Sequence, residues 1–474
     1  MRSTLYSRLS YRRAAVVVAT VIGVLTWQVA AGQTVVHADE ATGAALVTAT
    51  SAPQLSTALA QARPGDRIEV ADGLLPGGRI RVDRSGTPSA PITIAAQNPG
   101  KTELRAGTMF DLTGASHVTI EGFHFNGASL DVPPSAFAVR VTRSTFTGGS
   151  ANSVTISSDD SEVDHNTFRN KTTQTVYLQI TGPGSGIAKR TRVHHNYFLN
   201  HTFSGANGGE SVRIGYSHKQ HQQAFAVIEN NLFERANGDP EAISVKSSDN
   251  VIRHNTLRNS RGEITLRHGW RNRVDGNYIL GGVSGVRFYG NDHVIVNNVV
   301  QGNSGPPILV GSGAIKDDTA STTAHEAADR CLIAFNTLVA NHSGVIRVGD
   351  NKAIAPDRIT FANNIVVGTG TLTTISQGTN LAWQGNIVNG GSAGIPAGGY
   401  RAVDPRLVAG TGGLNRLQAG SPAIDTATGS VPQVTSDMDS QARSGAKDVG
   451  ADELSTAGTQ RRPLNPADVG PSAP

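Results

Sequence analysis

The chain has 474 residues, with 41 Lys+Arg against 37 Asp+Glu and a formal net charge of +4 at pH 7. Its 54 glycines, with 5% aromatic and 16% charged residues, argue against a coiled coil, a helical bundle and a charge-rich disordered chain. The single Cys331 excludes an intramolecular disulfide framework and any zinc site built from several cysteines. The length fits either two or three ordinary domains or one large all-β domain.

The first 38 residues have the pattern of a secretory signal peptide. Four arginines precede an apolar stretch over residues 14–31, and residues 36–38 (VHA) place small side chains where a signal peptidase prefers them. The alternative is a membrane anchor, because the apolar stretch is just long enough to span a bilayer. The Arg12-Arg13 pair is a weak hint of twin-arginine export.

Removal of residues 1–38 takes away four arginines and no acids, which leaves 37 Lys+Arg against 37 Asp+Glu. We therefore expect a secreted protein, extracellular or periplasmic, that is formally neutral and has no stable membrane anchor. A neutral chain also lacks the general positive charge that nucleic-acid binding would use, so any anion binding must be local.

A short phrase recurs along the chain, in which apolar strand-like residues precede an asparagine, one further residue and an aromatic or aliphatic residue. Its asparagines follow one another at intervals of 21 to 38 residues: Asn166, Asn196, Asn231, Asn255, Asn277, Asn298, Asn336, Asn364 and Asn386. Periods of this size indicate stacked repeats. Short runs rich in Val, Ile, Thr and Phe, without helical periodicity, predict an all-β, right-handed parallel β-helix. We expect the asparagines to form a ladder that joins neighbouring coils.

The ends of such a helix need covers, because open strand edges recruit other strands. Residues 53–62 (PQLSTALAQA) predict a short amphipathic helix as the N-terminal cap. Irregular sequence after about Asp404 is expected to close the other end. We predict one domain over residues 39–454 and a disordered tail over residues 455–474.

The tightest register lies between residues 243 and 267. An offset of 21 residues gives the pairs Ile243–Ile264, Ser244–Thr265, Val245–Leu266 and Lys246–Arg267. Apolar members face inward, so Lys246 and Arg267 face outward on strands about 4.8 Å apart. A further offset of 20 residues places Arg287 beside Arg267, and Arg213 points outward upstream. Because stacked like charges are unfavourable, we interpret this column as functional; the alternative is an ordinary solvated surface.

Two acids lie just upstream of this column. Asp239 and Glu241 share one side of an extended segment, and a bend between Glu241 and Ala242 is needed to bring them to the outward face. Asn207 precedes the coil that carries Arg213. Two carboxylates and an amide oxygen are hard-oxygen ligands suited to Ca²⁺. Alternatively, these residues cap loops and form ion pairs with Arg213.

This combination fits β-elimination on an acidic polysaccharide. Elimination requires that the uronate carboxylate is neutralised, the neighbouring proton removed and the departing glycosidic oxygen stabilised. A metal cation and arginines can neutralise the carboxylate, and a lysine among cations has a lowered pKa and can act as base. Arginine assists the leaving oxygen mainly through its charge. Hydrolysis would instead need two carboxylates flanking the bond, and no such pair stands out in the sequence of this face.

An ordered set of phrases resembles polysaccharide lyase family 6, which includes alginate lyases and chondroitinase B. The set covers most of the chain after residue 38 and comprises PGDRIEVADG, PITIAAQNPG, NGGESVRIGYS, EAISVKSSDNVIRHNTL, GEITLRHGWRNRVDGNYI, GVRFYGNDHVIVNN, SPAID and DVGADE. A single phrase such as PGD occurs in many β-helix proteins, whereas the ordered set is specific.

The resemblance implies roles for individual residues. It implies that Lys246 is the Brønsted base, that Arg267 is the acid or leaving-group residue, and that His268 lies near the substrate. It also implies that Arg213 and Arg287 contact the substrate carboxylate. The calcium site that it implies consists of Asn207, Asp239 and Glu241. Asp239 departs from the family's usual glutamate, and its shorter side chain is expected to weaken the site or shift the ion.

The sequence therefore predicts a secreted, calcium-assisted lyase acting on uronate-containing polysaccharide, with alginate as the first candidate substrate. Chondroitin or dermatan sulfate is the alternative within the class, and a sulfated substrate should require additional outward basic residues. The hypothesis from another class is a non-catalytic β-helix that binds polysaccharide. A uronate epimerase is a third possibility that would need a second proton donor, for which Tyr289 and His268 come into consideration. Oligomeric state is not indicated.

Overall fold

The computed structural model describes residues 35–38, 44–75, 77–203, 205, 207–319 and 322–474. The described chain winds into a parallel β-helix, in which successive coils contribute neighbouring strands to sheets of 15, 14 and 10 strands. The predicted β-helix is confirmed. The predicted signal peptide lies outside the described residues except for its last strand, Val35–Ala38, which pairs antiparallel with Ala45–Ala49.

The three sheets take their strands in chain order. The first sheet contains Val35–Ala38, Ala45–Ala49, Arg67–Val70, Ile92–Ala96, Ser116–Glu121, Phe137–Thr142, Glu162–Asp164, Arg192–His194, Val227–Glu229, Val251–Arg253, Arg273–Asp275, Val294–Val296, Leu332–Ala334, Thr360–Ala362 and Ala382–Gln384. The second sheet contains Gly73–Leu74, Thr102–Arg105, His124–Asn126, Thr145–Thr147, Thr167–Arg169, Tyr197–His201, Leu232–Ala236, Thr256–Arg258, Tyr278–Leu280, Val299–Gln301, Thr337–Val339, Ile365–Val367, Asn386–Asn389 and Tyr400–Ala402. The third sheet contains Leu130–Val132, Val154–Ile156, Leu178–Ile180, Val212–Gly215, Glu241–Lys246, Glu263–His268, Val286–Phe288, Ile308–Val310, Ile346–Val348 and Thr373–Ile375.

The remaining elements are short. Two-stranded pairs join Gly78–Arg81 to Thr108–Asp111 and Leu407–Ala409 to Asn415–Leu417. Three 3₁₀ turns occupy Ser217–Lys219, Thr411–Gly413 and Pro466–Asp468. Within the described ranges, no helix combines the length and apolar character that crossing a bilayer requires.

The nine repeated asparagines form a continuous buried ladder, as predicted. From Asn196 onward, each Oδ1 accepts hydrogen bonds from the backbone N–H and the side-chain amide of the preceding ladder asparagine, at 3.0–3.1 Å. The residue before a ladder asparagine turns the chain in the left-handed region, as at His165 and Asn230, each with φ 53°. Asn and Gly tolerate that region, which explains the recurring NN and GN pairs.

Inside the coils, apolar side chains stack in register. Phenylalanine rings form one column with centroid separations of 4.4–4.9 Å, at Phe125, Phe146, Phe168, Phe198 and Phe233. Aligned side chains of neighbouring coils bury one another, so the stacking supplies the core that a single coil could not form.

The predicted N-terminal cap is present as a helix over Ala52–Gln61. Ser51 is its N-cap, and the Ser51 hydroxyl accepts a hydrogen bond from the backbone N–H of Gln54 at 3.4 Å. Leu55 and Leu59 are buried in the core, so the helix covers the apolar end of the first coils.

The C-terminal region differs from expectation, because it packs along the side of the helix. Leu414 and Met438 join a buried cluster with Tyr278 and Val299 of the second sheet. Outward positions of that sheet are apolar here, and the irregular chain after residue 404 shields them from water.

Residues 455–474, for which the sequence predicts disorder, lie along the outer surface of the helix. The backbone N–H of Leu464 donates to Thr256 Oγ1 at 2.9 Å, and that of Gly470 donates to the His195 carbonyl at 2.8 Å. Arg143 Nη1 donates to the Pro471 carbonyl at 2.8 Å. The prediction of disorder rested on the terminal position of these residues, which does not reveal such polar anchors.

Candidate functional site

The outward face of the third sheet carries the candidate site. Cross-strand pairing places one residue of each coil in a single row along the helix, which we call the central row: Asp131, Thr155, Gln179, Arg213, Ser244, Thr265, Arg287, Leu309, Arg347 and Thr374. Lys246 and Arg267 lie two residues further along their strands than Ser244 and Thr265, and so on the same face.

The predicted register holds in its apolar part. Ser244 pairs with Thr265, flanked by the inward pairs Ile243–Ile264 and Val245–Leu266. A register shift between Glu241 and Ile243 inserts Ala242 as an extra residue. This shift supplies the bend that the sequence required and turns Glu241 towards the outward face.

Two other register expectations are wrong. A second shift follows Val245, so the cross-strand partner of Lys246 is His268 and not Arg267. In the next coil, Arg287 lies opposite Thr265 and not Arg267. A fixed offset from one coil to the next misses such shifts because bulges and turn lengths vary between coils.

Lys246 is 6% exposed, and its ammonium group lies beside a fully buried acid. The distance from Lys246 Nζ to Glu210 Oε1 is 3.4 Å. Burial lowers the pKa of Lys246, and the nearby Arg267 and Arg213 act in the same direction, whereas Glu210 opposes them. Burial has the largest effect, so Lys246 loses its proton at a lower pH than an ordinary lysine does. The neutral amine that results can abstract a proton.

Glu241 holds two arginines together beside Lys246. Glu241 Oε1 lies 3.1 Å from Arg267 Nη1 and 3.0 Å from Arg287 Nη2. Arg287 Nε lies 2.8 Å from Glu263 Oε1, and burial raises the pKa of Glu263 to about 7 against the opposing charge of Arg287. Buried acids therefore lie between the cations that the sequence placed on this face, and they offset the repulsion among those cations.

Arg213 lies on the other side of Lys246, within the same network. Arg213 Nη1 is 3.5 Å from Glu210 Oε2, and the Arg213 guanidinium lies 4.9 Å from the centroid of the Tyr216 ring. Arg213 Nε donates a hydrogen bond to Gln179. Glu210 thus connects Arg213 to Lys246, and the structure places both cations on one face.

A small aromatic cluster lies at the far end of the Lys246 strand. Burial, together with the nearby His325, lowers the pKa of His268 to about 3, so this imidazole is neutral. The His268 Nδ1 atom is buried without a hydrogen-bond partner among the described residues. The His325 ring lies 5.3 Å from that of His268 and stacks on Tyr289 at 4.4 Å. Trp270 Nε1 donates to Glu326 Oε2 at 2.6 Å and so anchors the loop that carries His325.

The predicted calcium ligands do not all have the same surroundings. Asp239 Oδ1 accepts a hydrogen bond from the backbone N–H of Glu241 at 3.0 Å, and Asp239 Oδ2 accepts one from that of Gly209 at 3.4 Å. Burial, with the charges of Glu210 and Glu241, raises the pKa of Asp239 to about 6. Asn207 is exposed, two residues before Gly209. A divalent cation would relieve the repulsion among these carboxylates, so the donor set fits a hard cation.

Other acidic groups that could hold an ion lie outside this face. Within the described residues, close sets of possible ligand atoms occur at two places: Glu162, Asp164 and His194, and Asp437, Asp439 and Asp452. Arg140 lies 2.7 Å from Asp164, and Arg416 lies 3.1 Å from Asp452. Arginines already neutralise part of both sets, which weakens them as cation sites.

Sequence reasoning missed Glu210 and His325. Glu210 lies in the phrase NGGESVR, three residues before Arg213, and this i,i+3 spacing from an arginine was the available signal. His325 lies in the long insertion between the ladder residues Asn298 and Asn336. No local pattern in that insertion indicates where it packs.

Comparison with known families gives one match over most of the chain. A family model described as chondroitinase B matches residues 49–385, which is more than half of the sequence. None of the curated proteins compared with the chain matches it.

Several solved structures resemble the chain. The PL6 family alginate lyase AlyGC is 26% identical with a TM-score of 0.70, over 79% of this chain and 55% of that protein, so the chain spans about half of its length. A mannuronic acid specific polysaccharide family 6 lyase from human gut microbiota is 23% identical with a TM-score of 0.66, over 76% of this chain and 91% of that one. The PL6 family lyase Pedsa3628 from Pseudopedobacter saltans is 19% identical with a TM-score of 0.63, over 90% and 99%. The second and third likenesses concern the fold.

Proposed function

Since the chain belongs to polysaccharide lyase family 6, the family of chondroitinase B, we propose that it cleaves uronate-containing polysaccharide by β-elimination. The observation that supports this most directly is Lys246, an almost completely buried amine whose pKa is lowered by burial and by the nearby Arg267 and Arg213. A surface that only bound polysaccharide would gain nothing from desolvating its lysine.

In the proposed reaction, neutral Lys246 takes the proton from the carbon next to the uronate carboxylate. The electron pair left on that carbon forms the double bond as the bond to the glycosidic oxygen breaks. Arg267 lies beside Lys246 and stabilises the negative charge that develops on the departing oxygen, which finally acquires a proton from solvent. Arg213 and Arg287 bind the substrate carboxylate, and Glu210 and Glu241 hold these cations in place.

Asn207, Asp239 and Glu241 are the residues we propose to hold Ca²⁺, whose charge would neutralise the substrate carboxylate and acidify the neighbouring proton. The raised pKa of Asp239 supports this assignment, because it reflects crowded carboxylates that a cation would stabilise. Glu241 would then serve both the ion and the arginine pair.

Alginate is our first candidate substrate, because AlyGC, at 26% identity, is described as an alginate lyase. Chondroitin or dermatan sulfate is the alternative, suggested by the name of the family model. We also propose, from residues 1–38 alone, that the protein is exported. Export would bring the enzyme to substrates such as alginate, which are polysaccharides found outside the cell.

Lys246→Ala tests the assignment of the base. General-base catalysis contributes roughly 100-fold to 10,000-fold, so the variant should lose at least ~100-fold in kcat on uronate polymer. Lys101→Ala is the matched control and should retain full activity, because Lys101 is an exposed lysine directly before the strand Thr102–Arg105 of the second sheet. Full activity in Lys246→Ala, with an unchanged melting temperature, would show that another group removes the proton.

Exhaustive EDTA treatment tests the calcium assignment separately. Undiminished activity after this treatment would contradict it.

A further inference from the structure

The central row continues beyond the proposed catalytic residues to a cation that they do not use. We infer that Arg347 is a second anion-binding position for the same polysaccharide, which takes a carboxylate or sulfate ester on a sugar some distance from the cleaved bond. This inference rests on the proposed function and adds to it the direction in which the substrate extends.

Among the residues that the structure describes, Arg347 has no ion-pair partner, unlike the cations of the proposed catalytic site. Arg213, Lys246, Arg267 and Arg287 each lie within 3.5 Å of a buried carboxylate. Arg347 is exposed and makes no ion pair or hydrogen bond with any residue that the structure describes. Its charge is therefore free for a ligand, and no internal ion pair must be broken before the ligand binds.

Register places Arg347 on the line that a bound chain would follow. Arg287 pairs with Leu309, and Leu309 pairs with Arg347. The two arginines are thus separated by two strand spacings, roughly 9.6 Å at about 4.8 Å each. Leu309 lies between them, half-buried, and offers an apolar surface to the face of a sugar ring. This order of cation, apolar residue and cation suits an anionic polysaccharide.

Gly344 makes room for the Arg347 side chain. A Cβ atom at Gly344 would lie 3.0 Å from Arg347 Nε, which is closer than ordinary van der Waals contact. Gly344 also has a φ of +68°, a conformation that other residues adopt with strain. The backbone therefore keeps space beside the guanidinium that a side chain at this position would occupy.

The opposite end of the central row has the opposite charge. There the row ends in Asp131, which is exposed, followed by the neutral Thr155 and Gln179. A polyanion is repelled at the Asp131 end and attracted at the Arg347 end. The bound chain should therefore extend from Arg287 towards Arg347.

The test compares Arg347→Ala, Arg347→Lys and Arg169→Ala on uronate oligosaccharides of three to six sugars, and on dermatan sulfate oligosaccharides of the same lengths. Arg169 is the matched control, since it is an exposed arginine on the second sheet whose side chain hydrogen-bonds, among the described residues, only to Thr147, at 3.3 Å. Loss of a charge-assisted contact should lower kcat/KM on hexasaccharides roughly tenfold, through KM. The loss should shrink as the oligosaccharide becomes shorter, because a trisaccharide has fewer productive binding positions that place a sugar at Arg347. Arg347→Lys should recover part of the loss, and Arg169→Ala should have no effect.

Each outcome decides a separate point. A length-dependent loss on unsulfated oligosaccharides identifies the bound group as a carboxylate, and a loss confined to dermatan sulfate identifies it as a sulfate ester. Equal rates for Arg347→Ala and wild type at every length, or an equal loss at every length, would overturn the second position while leaving the proposed function intact. A wild-type protein that neither cleaves nor binds any of these oligosaccharides would overturn the proposed function, and this inference with it.

Discussion

Asn255 lies in the middle of the asparagine ladder, and we expect Asn255→Ala to destabilise the β-helix strongly. Asn255 Oδ1 accepts hydrogen bonds from the backbone N–H of Asn231 at 3.1 Å and from its side-chain amide at 3.0 Å. Asn255 Nδ2 donates to the carbonyl of Ile228 at 2.8 Å and to Asn277 Oδ1 at 3.0 Å. Alanine would remove the acceptor of the buried Asn231 N–H and a donor to the Ile228 carbonyl. The Asn231 side-chain amide would keep the carbonyls of Val193 and Glu229, and Asn277 Oδ1 would keep the backbone N–H of residue 255.

Each buried polar group left without a partner costs about 1–3 kcal/mol. The Asn231 N–H and the Ile228 carbonyl both lose the partner that the Asn255 side chain supplies, so we expect a loss of about 3–5 kcal/mol in the free energy of unfolding. Equilibrium unfolding in urea, followed by tryptophan fluorescence, measures it from the shift of the midpoint.

Asn126→Ala is the control, since Asn126 is an exposed asparagine of the second sheet that donates to Glu103 at 3.1 Å. Substitutions at such a surface position usually change stability by no more than about 0.5 kcal/mol. If Asn255→Ala lowers the free energy of unfolding by less than about 1 kcal/mol, the hydrogen bonds of the ladder are not a main source of stability for the coils.

Two further predictions concern charge. Burial alone would raise the pKa of Asp164, but hydrogen bonds, chiefly from Arg140, lower it below its usual value. Asp164→Asn should therefore cost on the order of 2 kcal/mol at pH 7, and melting curves should show the difference from wild type shrinking as the pH falls below about 4. Glu210→Gln removes the charge that raises the pKa of Lys246, so the rising limb of kcat/KM against pH should move to lower pH. An unmoved limb would show that Glu210 does not act on Lys246.

The sequence predicted the β-helix well because its determinants are local and periodic. Each coil from Asn166 to Asn386 carries its own ladder asparagine, its own left-handed residue and its own inward apolar positions. The register between Ser244 and Thr265 followed from matching apolar neighbours, since a slip of one residue would expose them to water. The same periodicity brought Lys246, Arg267 and Arg287 to one face.

The charge arrangement of that face was harder to predict because it depends on irregularities. The shift after Val245 places His268 opposite Lys246, and no fixed repeat length contains it. Glu210 precedes its strand, so strand alternation could not assign its side chain to the site. His325 arrives on an inserted loop whose packing is set by contacts such as Trp270 to Glu326. A site that appeared to be a column of cations is therefore an alternating network of cations and acids.

The most direct measurement of the central claim is the ultraviolet absorbance of unsaturated products, recorded with the protein without residues 1–38 on a panel of uronate polymers. The panel comprises polymannuronate, polyguluronate, dermatan sulfate and chondroitin sulfate, each with Ca²⁺ and with EDTA. We predict rising absorbance on at least one alginate polymer, dependent on Ca²⁺ and lost in Lys246→Ala. Binding to these polymers without any rise in absorbance would contradict the claim that this face performs β-elimination.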